Sequence, residues 1–218
     1  MLNFSIIPEL LLIPREGFNA LKKETEALDG ITTGTILFIA ASALSVGFLA
    51  LFEPQKFNVM VEVKNISVSI VFVIIFTIIV GTIAAKTAKK AFNGAGDAPT
   101  TISFSGYSQA VYFIIALLTT LLTIILSLTV MKEMPARLFS LETFTGPASM
   151  LFLAVIAAGA LWWLYVHGSG VAEANNISFF KGVAVSLFAS ITAIAVTAFI
   201  LFTANFIAIS QTGFALYP

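Results

Sequence analysis

The residues able to do chemistry in this sequence are few, and their spacing points away from catalysis. It has one histidine, His167, and no cysteine, which excludes a multi-histidine metal site, a thiolate nucleophile and iron–sulfur ligation. Asn93-Gly94-Ala95-Gly96-Asp97 is glycine-rich enough to suggest a phosphate cradle. Such a cradle needs a strand before it, whereas this stretch follows a long apolar run, so it reads as a flexible loop. Asn65-Ile66-Ser67 and Asn176-Ile177-Ser178 fit the glycosylation sequon, but the first abuts an apolar window and the second falls on the side assigned below to the cytoplasm. Serine-nucleophile, P-loop and metalloprotease patterns are missing. His167, between an aromatic cluster and Gly168-Ser169-Gly170, reads as an exposed interfacial side chain. No catalytic residue, metal ligand or cofactor is therefore expected, and the chain does not read as an enzyme.

The elements that carry these residues are set by composition. Of 218 residues, 59% are hydrophobic and 10% charged, with a mean hydropathy of +1.02. Soluble domains carry about 25% charge. Lipid is the solvent that tolerates this much apolar surface, and a helix needs about 20 apolar residues to cross it. Windows at about 31–52, 66–85, 109–131, 147–166 and 182–210 qualify, and none has an ionisable residue in its centre. The sequence thus predicts an all-α integral membrane protein, a bundle of five transmembrane helices over 31–218 preceded by an amphipathic interfacial segment over 1–30. The zero net charge argues against nucleic acid as a partner and leaves the lipid bilayer as the main one.

Basic residues set the orientation. Arg15, Lys22, Lys23, Lys86, Lys89, Lys90 and Lys181 fall on one side, against Lys56, Lys64, Lys132 and Arg137 on the other. The bias predicts a cytoplasmic N-terminus and an external C-terminus. Trp162, Trp163 and Tyr165 at the end of the fourth window read as interfacial anchors. The hydroxyls inside the windows include Thr119, Thr123, Ser186 and Ser190, four apart in pairs. They read as packing contacts, with a polar conduit as the competing role. Ala43–Gly47, Ala154–Ala158 and Ala189–Ala193 are small-residue pairs suited to close helix approach. Ile102-Ser103-Phe104 and Ile177-Ser178-Phe179 lead into the third and fifth windows alike, which suggests a worn duplication.

Before the first window, Phe18, Leu21, Thr25 and Leu28 recur at helical spacing, with Pro14 placed to open a helix and Gly30 to close it. The apolar run ahead of it is too short to span and reads as interfacial or re-entrant. Leu11-Leu12-Ile13-Pro14-Arg15-Glu16-Gly17-Phe18, then Leu21 and Glu24, running into the window at Ile31, resembles the entry to the Yip-domain family, and Gly94–Gly106 followed by Tyr107 resembles that family's loop before its third span. The resemblance implies five spans, no catalytic residues, residence in early secretory membranes in eukaryotes, and partners among Rab-type GTPases and membrane proteins. Eukaryotic members place a longer cytosolic domain ahead of the membrane. Here about 30 residues precede the first window, which resembles the short prokaryotic members, points to a prokaryotic cell membrane and weighs against a small GTPase partner.

The expected function is a non-enzymatic membrane scaffold or partner-binding protein in membrane organisation or trafficking. Pro14, Phe18, Leu21, Lys22, Lys23 and Leu28 form its partner or membrane-interface surface, and another membrane protein or a second copy is the partner. The alternatives are that this helix only folds back onto the bundle, or that the chain is a permease subunit or small channel.

Overall fold

In lipid each span must satisfy its backbone internally, which leaves the helix as the available form for these windows. The computed structural model describes residues 4–22, 26–52, 57–129 and 147–213, and they form helices with no strand among them. A short 3-10 turn, Phe4–Ile6, leads into α1 (Ile7–Leu12) and α2 (Pro14–Leu21). There follow α3 (Ala27–Phe52), α4 (Val59–Phe92), α5 (Ala98–Tyr107), α6 (Ala110–Thr129), α7 (Pro147–Asn175) and α8 (Phe179–Gly213). Five stretches among the described residues are long and apolar enough to cross a membrane: Ala27–Gly47, Val59–Phe92, Ala98–Ile125, Met150–Asn175 and Phe179–Ile200. Lys23, Lys56, Lys132 and Arg137 lie outside the described residues.

Helix ends differ from the sequence expectation where polar residues remain helical. Gly30 lies inside α3 and closes nothing. The basic run Lys86, Lys89, Lys90 forms the final turns of α4, where cations suit the helix dipole. That helix starts at a proper cap, the Asn58 side chain accepting from Met60 N–H (3.1 Å) and Val61 N–H (3.3 Å). It stops at Asn93 in the left-handed region (φ 54°), which lets Gly94 N–H reach the Ala88 carbonyl at 3.0 Å. Helix α7 continues nine residues past the expected Val166, through the Gly168-Ser169-Gly170 stretch, to Asn175. It ends on left-handed Asn176 (φ 53°), with Ile177 N–H bonded to the Ala172 carbonyl at 3.1 Å.

The third crossing is two helices, α5 and α6, joined at Ser108-Gln109. Asp97 starts α5, its carboxylate accepting from Thr100 N–H at 2.8 Å. The helix sits in a socket lined by glycines: a methyl added at Gly30 (α3) would meet the Ser103 carbonyl oxygen at 1.9 Å, at Gly34 (α3) the Gly106 oxygen at 2.6 Å, and at Gly81 (α4) Ile102 Cα at 2.6 Å. Thr101 and Ser103 through Tyr107 are all buried. Irregular backbone at membrane depth is tolerated where protein surrounds it, and here α3, α4 and α7 do so. Ile102-Ser103-Phe104 is therefore interior helix, whereas Ile177-Ser178 makes the α7–α8 turn; the two triplets do not occupy equivalent positions.

Two apolar cores lie near the end of the bundle where Arg15, Lys86, Lys89, Lys90 and Lys181 are exposed, called here the basic end. One joins Ile6, Leu10, Phe18 and Leu21 to Phe104, Tyr107, Val111, Trp163 and Val166. The other joins Val80, Ala84 and Ala88 of α4 to Val171 of α7 and Val185, Ala189 and Ala193 of α8. Of the small-residue pairs, Ala189–Ala193 packs against α4, whereas Ala43, Ala154 and Ala158 are exposed and nothing lies within 4 Å of a methyl added at Gly47.

Candidate functional site

The N-terminal helices form the first candidate surface. Gly17 allows α1 to cross α2 closely, since a methyl there would sit 2.9 Å from Leu10 N. The pair folds onto α5 and α7 at the basic end. Phe18, fully buried, lies 4.7 Å from the Phe104 ring and over Gly170, where an added methyl would meet it at 3.0 Å. Leu21 and Pro14 are buried as well. Lys22 donates to the Glu173 carbonyl oxygen and to Asn176 Oδ1, both at 2.6 Å, and Arg15 Nε donates to Glu173 Oε1 at 2.8 Å. Arg15 is 82% exposed, so that ion pair adds about 0–1 kcal/mol. Trp162 Nε1–H reaches the Leu11 carbonyl at 3.1 Å. The large apolar residues left facing outward are Leu12 (77% exposed), Ile13 (50%) and Phe4 (42%), with Leu28 (68%) at the start of α3.

The second candidate is a buried polar cluster. His167 is not an exposed interfacial side chain: it is buried between α5 and α8, stacked on Trp163 with ring centroids 4.6 Å apart. Its Nε2 lies 2.9 Å from Ser105 Oγ, and its Nδ1 is hydrogen-bonded to Ser186 Oγ. Ser105 gives its own hydrogen to the Thr101 carbonyl (2.8 Å), so Nε2–H donates to Ser105 and Nδ1 accepts from Ser186. A serine nucleophile gives its proton to the imidazole, as Ser186 does and Ser105 does not, but it also needs access for a substrate. All three side chains are buried, so the cluster ties α5, α7 and α8 together. Asn175 extends the tie, donating to Thr101 Oγ1 at 3.1 Å. The interior position of His167 follows from Gly168, whose added methyl would meet Val183 Cγ2 at 2.7 Å, and from Gly170 beneath Phe18. Glycines flanking a histidine within helical register are the sequence signal for it.

The glycine-rich stretch is a packed connection. Ala95 N–H bonds the Asn175 carbonyl at 3.0 Å, and a methyl on Gly96 would fall 2.1 Å from the Ala174 oxygen. With the Asp97 carboxylate occupying the first turn of α5, this turn repels an anion. Trp163 is 6% exposed and faces the interior, Tyr165 is 44% exposed and meets Phe179 edge-on, and Trp162 is spent on Leu11. Among the described residues no group of three or more His, Asp or Glu side chains comes together to hold a metal.

The hydroxyl stripes bond their own helices: Thr123 to Thr119 O (2.8 Å), Ser190 to Ser186 O (2.7 Å), Thr197 to Ala193 O (2.7 Å). Helix α8 packs on α4 and α7, and α6 on α3 and α7.

No curated protein and no solved structure matches this chain. The Yip1 domain family model does match it over residues 9–201, from α1 through most of α8. This five-crossing membrane protein belongs to the Yip1 domain family.

Proposed function

We propose that the protein is a non-enzymatic membrane scaffold that presents its N-terminal helix pair to a partner in or on the bilayer. The observation that carries this is the division of labour within α1 and α2. Pro14, Phe18, Leu21 and Lys22 anchor the pair to α5 and α7, while Leu12, Ile13 and Phe4 are left outward. An apolar rim at the level of Trp162 suits the headgroup boundary or another membrane protein's surface. The basic end faces the cytoplasm in this reading, following the distribution of Lys and Arg. Leu28, exposed at the start of α3, belongs to the same surface.

Crosslinking in native membranes, followed by identification of what co-purifies, tests the proposal. A partner captured by the native chain and lost from Leu12→Ser/Ile13→Ser, with the bundle still folded, supports it. Capture unchanged by that variant refutes it. A small GTPase, another membrane protein or a second copy in the captured fraction would each specify the partner class. A transport role would need a wet path along the hydroxyls of α6 and α8, and of these Thr119, Thr123 and Ser190 are bonded within their own helices and Ser186 to His167.

A further inference from the structure

Away from the basic end, α3, α4 and α6 separate around a cavity of about 720 Å³, within the range of roughly 300–1,000 Å³ typical of small-molecule sites. Its walls are apolar, with Phe38, Phe72 and Phe76 among them. It is open at the side: Phe72 (38% exposed) and Tyr112 (42%) line it and also face outward, where the bundle meets hydrocarbon. Ser42, Ser45 and Ser69 line it between the phenylalanines, and larger polar groups mark its two ends. Glu62 and Asn65 line it on the first turns of α4, and Gln109, whose amide reaches Thr77 Oγ1 at 3.5 Å, lines it at the other. From the level of Glu62 to that of Thr77 is about 22 Å, at roughly 1.5 Å rise per helical residue.

Dimensions decide among occupants. A helix from a second copy, about 10 Å across with its side chains, is bulkier than the slender space of about 720 Å³ over this length. Water is disfavoured by walls of Phe and Ile. An extended hydrocarbon chain is thin enough and about the right length. Charge then selects the head. Glu62 stands one turn before the charge-free stretch that begins at Ile66, which places its carboxylate at headgroup level. It forms no ion pair among the described residues.

We propose that this cavity is a binding site for one zwitterionic phospholipid, whose headgroup ammonium pairs with Glu62 beside Asn65 and whose acyl chain lies between Phe38 and Phe72. An anionic glycerol headgroup would meet the Glu62 carboxylate and be rejected.

The full chain, reconstituted in bilayers of phosphatidylethanolamine and phosphatidylglycerol and then extracted in mild detergent, is examined by native mass spectrometry. The native chain is expected to retain one phosphatidylethanolamine, at least tenfold over phosphatidylglycerol. Glu62→Gln should remove that preference, and Ser42→Phe, which fills the cavity, should remove the bound lipid altogether. Circular dichroism confirms that each variant is folded, and Glu62→Gln carries the test if Ser42→Phe is not. A parallel arm with phosphatidylcholine separates recognition by charge, which retains it equally, from recognition by hydrogen bonds, which favours the primary ammonium. No retained lipid, equal retention of the anionic lipid, or a preference undiminished in Glu62→Gln each overturns the proposal.

Discussion

Replacing Gly30 by alanine tests whether α5 is held by backbone contact. The added methyl carbon would lie 1.9 Å from the Ser103 carbonyl oxygen and 2.5 Å from its carbonyl carbon. Ordinary close carbon–oxygen contacts stop at about 3.3 Å, so α3 and α5 must part by about 1.4 Å. Both sides are main chain, and no side-chain rotation relieves the clash. Overpacking a core costs about 1–3 kcal/mol, and this geometry belongs at the upper end. Alanine recovers about 1 kcal/mol of helix propensity, leaving a net loss of about 2 kcal/mol, roughly 30-fold in the folded-to-unfolded ratio. Gly47→Ala is the matched control: the same helix and the same methyl, but nothing within 4 Å, so only the propensity gain remains. Unfolding by increasing dodecyl sulfate in mixed micelles reads both, with Trp162 and Trp163 as fluorescent reporters. If Gly30→Ala unfolds at the same midpoint as Gly47→Ala, the glycine socket is wrong.

Phe18→Ala removes a fully buried ring from Phe104 and Gly170. At about 3–5 kcal/mol for such a truncation, tryptic cleavage after Lys22 should accelerate at least a hundredfold, and unchanged cleavage would show the helix pair is held otherwise. Asp97→Ala deletes the cap of α5 and should cost about 1 kcal/mol in the same micelle titration, with Asp97→Asn nearly silent. His167→Ala strands the hydroxyl of Ser186 and opens a void, so it should destabilise by about 2 kcal/mol or more while leaving partner capture by the folded fraction intact. Because the native chain has no cysteine, Lys89→Cys can report topology alone; an impermeant thiol reagent should label it only after the membrane is opened, and labelling in sealed cells would reverse the orientation.

The crossings were legible because each holds a charge-free apolar window near the length that hydrocarbon demands, and lipid leaves such a segment no alternative to the helix. The ends were less so. Lys86–Lys90 and His167–Asn175 look like connections by composition, yet both are helical, since burial of Ala88, Val171 and Ala174 rewards continuing the helix. Helix α5 was not legible as a helix. Its Thr, Ser and Gly residues give no apolar stripe, and its place depends on glycines of α3, α4 and α7 far away in sequence. Asp97 followed by Pro99 was the available local sign. The spacing of Phe18 and Leu21 marked a helix face, but α2 ends at Leu21 and Leu28, expected on the same face, is exposed on α3; nor could the spacing say what the face touches. That needed Gly170 and Glu173 on a distant helix.

The anchor of the N-terminal helices has a consequence for biogenesis. Arg15 and Lys22 bind partners 158 and 151 residues further along the chain. At about 5–20 residues per second, a ribosome takes roughly 8–30 s to make the fourth crossing after the helices that dock on it. Through the whole of that interval α1 and α2 lack the α7 side of their site, and until α5 is made they lack Phe104 as well. Helices made ahead of every crossing thus settle only once the fourth has been made, and α8 has still to join the bundle when α2 can first dock on α7.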